Sequence, residues 1–347
     1  MARVTEGLLY NKADRAMNRT RGKMLENQEQ ALTGRRINKP SDDPQGIVRA
    51  IGLKTKIERN EQALKNMEIA NSYLSVTDSS LAELSNLLSR AKELAIQVNS
   101  SSNQGTDAMR SVQSEVDELY YQALQIANTR VGEHYIFAGY QTERPPFDEQ
   151  GNFYGDVGQI EIEIQPGQRV PLNVTGLRPF VGLTEIPTKI NDLTGEVETP
   201  SRAPLAMREP ASLVAESRQI DPIEDPEAYA EIQKNVGVNI FHSLKLFSQG
   251  LSEGRVDLIN GTLDNIDKAF SQVLETRATV GALQNAVITN TDLVDSQQVT
   301  NQLLQSNVVD ADTTQVYSDL ARNESVLNAT LAANKKLLTP SLLDFLK

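Results

Sequence analysis

Across residues 67–98 the apolar positions keep a seven-residue beat. Met67, Leu74, Leu81, Leu88 and Ala95 form one register, and Ala70, Thr77, Leu84, Ala91 and Val98 form a second, three residues behind it. A two-register stripe held over more than four heptads is the pattern of long, packed helices. With GIVRAIGLKTKIERN ahead of it, the stripe predicts one helix from about residue 44 to 99, roughly 80 Å long at 1.5 Å rise per residue. NSSSNQGT, 99–106, interrupts it with small polar residues and Gly105. A second helix is predicted over 106–131, with Met109, Val112, Val116, Leu119, Ala123 and Ile126 on one face. The short connection makes the two an antiparallel hairpin. In the C-terminal half Ile259, Ile266, Val273, Val280, Val287 and Val294 step by seven again. Phe241, Leu244, Phe247 and Leu251 mark a shorter helix before them, with SQGLSEGRV as the break.

The middle of the chain changes period. In 147–180 Ile160, Ile162 and Ile164 alternate with Glu161 and Glu163, QPGQ supplies a turn, and RVPLNV follows, which reads as strands and hairpins. Residues 181–225 are rich in Pro, Gly and Thr, and no element is placed there. The fold class is therefore mainly α with an inserted β-rich domain: a long antiparallel helical rod built from both sequence halves. The rod is expected over 45–141 plus 226–305, with the insert over 142–225. Because the rod's stripes do not run through the insert, its removal is expected to leave the rod folded.

The two ends, 1–44 plus 306–347, form a third region. A thin seam runs through Tyr10, Met17, Met24 and Ala31, padded by Ala13, Leu25 and Leu32. Over 308–347 Val316, Leu320, Leu327, Leu331 and Leu338 are separated by Asn323 and Asn334. Both are amphipathic helices too lean to bury much area, at ~25 cal/mol per Å², against ~1–2 kcal/mol of backbone entropy per residue. The ends are expected to be weakly ordered in the monomer and to order against neighbouring subunits.

Between the N-terminal helix and the rod lies TGRRINKPSDDPQG, a stop and a restart. Gly34 suits the position after a helix, where φ is positive. Pro40 keeps Lys39 out of the helical region. Asp43 is an N-cap, Pro44 takes the first helical position, and Asp42 adds charge near the positive end of the dipole. The stretch is an extended strut, and Gly34, Arg35, Arg36, Asn38, Pro40, Asp42, Asp43 and Pro44 are its candidate subunit-interface residues.

Composition narrows the function. With no Cys among 347 residues there is neither a disulfide framework nor thiol chemistry, and two His cannot supply a typical zinc site. There is no HExxH and no GxxxxGK[ST], and the glycines near GYQTERPPF and YGDVGQ lack dinucleotide-binding spacing. DADTTQVYSDLA begins like a calcium loop but has Gln315 where Gly is needed and Ala321 where Glu is needed. No catalytic, metal or cofactor site is nominated, so an enzyme such as a hydrolase is the disfavoured reading from another class. No apolar run reaches the length of a membrane span, and the first residues lack the apolar core of a cleaved signal peptide. The net charge is −12, yet residues 1–40 carry nine Lys and Arg against four Asp and Glu, or +5. Residues 301–347 sum to −1, which leaves 41–300 at −16. The basic arm has one aromatic, Tyr10, and no basic cluster beyond Arg35-Arg36, so nucleic-acid binding is not expected.

LTGRRINKPSDDPQGI resembles the N-terminal signature of the flagellin family, and TRATVGALQNAVITNT is similar to that family's C-terminal rod segment. VGEHYIFAGYQTERPPFD and the final TPSLLDFLK resemble the hook–filament junction branch of the family rather than its filament subunits. The resemblance implies a structural subunit of the bacterial flagellum, with both termini in a helical inner layer, rods around it and the insert outermost. It implies partners as well: other copies in a ring, flagellin, the other hook-associated junction protein and an export chaperone. Neither a cofactor nor insertion into a membrane is implied. Export would proceed through the flagellar type III route without a cleaved signal. A filament-forming flagellin is the alternative.

Overall fold

The computed structural model describes residues 2–100, 106–185, 189–190, 197–198, 209–218, 220 and 225–338. The chain forms α1 (Ala2–Thr33), α2 (Pro44–Ser100), α3 (Thr106–Ala127), β1 (Arg130–Val131), β2 (His134–Tyr135), β3 (Glu161–Gln165), β4 (Gln168–Pro171), β5 (Lys189–Ile190) and β6 (Val197–Glu198). It continues through α4 (Pro210–Ser217), α5 (Pro226–Asn235), α6 (Ile240–Glu253), α7 (Val256–Val309) and α8 (Thr313–Leu338). The fold is mainly α with small antiparallel hairpins pairing β1 with β2, β3 with β4 and β5 with β6. It divides into two compact units, residues 63–293 and residues 1–62 with 294–347. These divisions fall inside α2 and α7, within the segments expected to be rod, rather than at 44/45 and 305/306.

In the unit of 63–293 the heptad stripes are the core. Every residue of both α2 registers is buried, as are the five α7 positions of this unit, Ile259, Ile266, Val273, Val280 and Val287; Val294, the next in the series, is buried in the other unit. The two helices are pinned in register by polar bonds beside the stripe. Arg277 reaches Asp78 with Nε–Oδ1 at 3.0 Å and Nη2–Oδ2 at 3.3 Å, and Lys92 pairs with Asp267. Arg90 on α2 meets Glu115 on α3 at 2.7 Å. α6 ends at Gly254, whose φ of +65° lets its N–H close back on Gly250 O before α7 starts.

α3 stops at Ala127 rather than 131. The Asn128 side chain, instead of continuing the helix, brackets the backbone of Phe147, donating to its O at 3.0 Å and accepting from its N at 3.1 Å. β1 occupies the last two residues of the expected helix and pairs with β2 just beyond it. The β3–β4 hairpin turns at Gly167, φ +80°, as QPGQ predicts, and buries Ile164 and Val170.

The middle segment packs into the helices through its aromatic side chains. Phe147, Phe153 and Phe180 are fully buried with Phe137 and with Phe241 of α6. Ring centroids lie 5.1 Å apart for Phe147–Phe153, Phe147–Phe241 and Phe137–Phe180. Tyr120 of α3 adds an edge contact to Phe241 at 5.8 Å, and burial pushes its phenol up to about 12. Polar side chains of the helices hold the irregular backbone: Gln272 of α7 donates to Pro179 O at 3.1 Å, and Asn66 of α2 to Glu163 O at 2.7 Å. Removing 142–225 would take Phe147 and Phe180 from Phe241 and Phe180 from Phe137, and this packing weighs against the expectation that the rod is indifferent to the segment. The segment also contains a helix, α4, which packs with α5 through Ala211, Ala215 and Ile232.

Candidate assembly site

In the other unit, α1 lies beside α8, and the strut, residues 34–43, lies beside the turn between α7 and α8. Gly34 closes α1: with φ +69° its N–H reaches Gln30 O at 2.8 Å. Its own carbonyl accepts from Ala311 N–H at 2.9 Å, and Arg36 N–H donates to Val309 O at 2.7 Å, so Arg35 and Asp310 face each other as a short antiparallel bridge. The strut is thus stitched to the far end of the sequence by backbone bonds that the residue pattern alone did not show.

The strut's side chains then fix its own shape. Asp42 accepts from the N–H groups of Asn38 at 3.0 Å and Lys39 at 2.8 Å, closing a turn around Pro40 instead of standing at the helix start. Asp43 is the N-cap, taking Gly46 N–H at 2.8 Å ahead of Pro44 at the first helical position. Arg36 donates to Val308 O at 2.8 Å and lies 3.4 Å from Asp43. Asn38 donates to Arg35 O at 3.0 Å, and Lys39 pairs with Glu29 of α1 at 2.7 Å. Arg35 contributes through its backbone: its N–H donates to Thr33 Oγ1 at 3.2 Å.

The residue that pattern reading missed is Ile37. It is 3% exposed, the one apolar side chain of the strut and its anchor. A Cβ added at Gly46 would lie 2.6 Å from Ile37 Cδ1 and against the Asp43 carboxylate, so only glycine lets the capped helix start close over this anchor. A lone Ile between RR and NKP carries no periodicity, which is why it gave no signal.

The assembly helices divide. Met17 and Met24 are half-buried along the α1 seam with Ala13 and Ala31, and on α8 Val316 is buried and Leu320 and Leu327 are half-buried. Leu25 and Leu32 are corrected: at 66% and 88% exposed they lie on a different face of α1 from the Met17–Met24 seam, about 100° around the helix. Leu331 is also exposed. The side chains of Tyr10 and Leu338 lie outside the described residues. The expected C-terminal helix from 308 is corrected too. α7 runs to Val309, and a new helix begins at Thr313, because Asp312 caps it by accepting from Thr314 N–H at 2.9 Å and Gln315 N–H at 3.2 Å.

The strut carboxylates predict a pH response. Asp42 is held below the usual carboxylate range by the Lys39 and Asn38 N–H groups. Asp43 is lowered by the Gly46 N–H, with Arg36 adding. A carboxylate with a depressed folded pKa stabilises above its unfolded value, about 3.9, and loses that contribution as pH falls through the folded value. The strut is therefore expected to hold its geometry down to about pH 4 and loosen below it. Carboxyl chemical shifts of Asp42 and Asp43 followed by NMR should give midpoints below those in the urea-unfolded chain. Midpoints equal to or above the unfolded ones would contradict the caps.

Residues 4–142 match the family model of the bacterial flagellin N-terminal helical region. The strut, α2, α3 and α1 from its third residue on lie in that match, so this part of the chain is a flagellin-type helical region. Over most of its length the chain is a homologue of flagellar hook-associated protein 3. It is 24% identical to that protein of Salmonella typhimurium over 331 residues, covering 94% of both chains. It is 28% identical to that of Escherichia coli over 184 residues, 52% of this chain and 58% of the relative. The fold is similar to that of the flagellar junction protein FlgL from Legionella pneumophila, with a TM-score of 0.52 at 17% identity over 75% of this chain and 99% of that one. Bacillus cereus FlgL gives a TM-score of 0.51 at 16% identity, over 74% and 99%. These relatives are structural flagellar proteins. Among the described residues no helix is long and apolar enough to cross a membrane.

Proposed function

We propose that this chain is a structural subunit of the bacterial flagellum that forms the junction between a hook-associated protein and the flagellin filament. The observation that carries it is homology along 94% of both chains to a hook-associated protein 3, whereas the match to the flagellin of Clostridium tyrobutyricum stops at 36% of this chain. The termini support a building-block role. They pair through a lean, half-buried seam and leave Leu25, Leu32 and Leu331 exposed for burial by neighbours. The work is done by packing rather than by catalysis. The partners are other copies in a ring, flagellin on one side and the other hook-associated junction protein on the other. An export chaperone is a further partner, and export uses the flagellar secretion route without a cleaved signal.

Deleting this chain from its own bacterium should leave hooks without filaments and unpolymerised flagellin in the medium. Filaments of normal length on the deletion strain would contradict the proposal.

A further inference from the structure

Four cations on α1 make no ion pair among the described residues. Lys12, Arg15, Arg19 and Lys23 are spaced three, four and four residues apart, which places them in one strip along the helix. All four are exposed, and the face turned to α8 is the other one, through Ala13, Met17 and Met24. None of the four makes an ion pair among the described residues. Asp14, the one acid among residues 12–23, takes the Asn18 amide at 3.2 Å instead. Like charges at such spacing oppose a helix, so the strip is at odds with the lean helix that carries it unless an acidic surface offsets it.

We infer that the strip of Lys12, Arg15, Arg19 and Lys23 is the docking face for the acidic surface of a second copy of this chain, an inference that rests on the assembly reading above. Charge complementarity argues for the occupant. Residues 1–40 carry +5 and residues 41–300 carry −16, so each copy supplies both halves of a head-to-tail contact. The strip is about 16 Å long at 1.5 Å per residue, enough to lie along one helix of a neighbour. It has no aromatic between Lys12 and Lys23 on which a base could stack. Head-to-tail charge contacts close a ring or continue a helix, whereas a self-complementary patch would stop at a dimer.

Ala16 is exposed beside the strip and is the place for a photo-crosslinking residue in the full chain. In purified flagella the crosslink should fall within 41–300 of another copy of the same chain. Crosslinks only to a different flagellar protein, to nucleic acid or to lipid, or no crosslink at all, would overturn the inference. Absence of the chain from flagella altogether would instead overturn the assembly reading. A second comparison guards against misfolding. K12E/R15E/R19E/K23E should enter flagella at least about tenfold less than K12R/R15K/R19K/K23R, with equal helical circular dichroism of the purified proteins. Equal incorporation of the two variants would also overturn it.

Discussion

Phe147→Ala should destabilise the unit of residues 63–293 by about 3–5 kcal/mol, the range for emptying a buried aromatic site. Phe147 sits at the centre of its cluster, with Phe153 and Phe241 at 5.1 Å and Phe180 at 5.3 Å. Its backbone is clamped on both sides by Asn128, so the chain cannot close over the lost ring. Denaturant unfolding followed by helical circular dichroism checks this, because a fault in the middle segment should be felt by α3 and α6. A loss under about 1 kcal/mol would mean that the segment is an appendage after all. The same reasoning predicts that deleting 142–225 abolishes cooperative melting.

The helices were legible because their signal is periodic. Each stripe residue from Met67 to Val98 and from Ile259 to Val294 is where a heptad places it. The capped restart at Asp43-Pro44 and the positive φ of Gly34 were legible as well, since both follow from residue chemistry within one turn. What failed was non-local or aperiodic. The aromatic cluster gathers Phe137, Phe147 and Phe153 from irregular segments, Phe180 from a short π-helical turn over Leu177–Val181 and Phe241 from α6, with no fixed spacing to betray it. The pairing of Arg36 N–H with Val309 O joins residues at opposite ends of the chain. Asp42 could cap a helix or close a turn, and only the neighbouring N–H groups decide between them.

Ile37→Ala should lower the stability of the unit formed by residues 1–62 and 294–347 by about 2–5 kcal/mol, as for other buried Ile truncations, while Ile37→Val costs about 0.5–1.5 kcal/mol. Ile37 is the apolar contact under the strut, and the bonds of Arg36 to Val309 and of Gly34 to Ala311 are made in the three residues just before it. With the anchor gone, those bonds lose the packing that keeps water from them. Amide exchange in full-length protein is the readout: the N–H groups of Arg36 and Ala311 should exchange faster in Ile37→Ala, and those of Leu81 and Val280 should not. Uniform exchange rates across all four would show that Ile37 does not hold the strut. Arg36→Ala, with its half-exposed guanidinium, is expected to be the milder change in the monomer.

The central claim is positional: a subunit of the junction, neither of the filament nor of the hook. Gold labelling of an epitope-tagged full chain on intact flagella, viewed by electron microscopy, tests it most directly. The tag should appear as one narrow band where hook meets filament. Label along the whole filament would make the chain a flagellin, and label absent from flagella would contradict the account entirely.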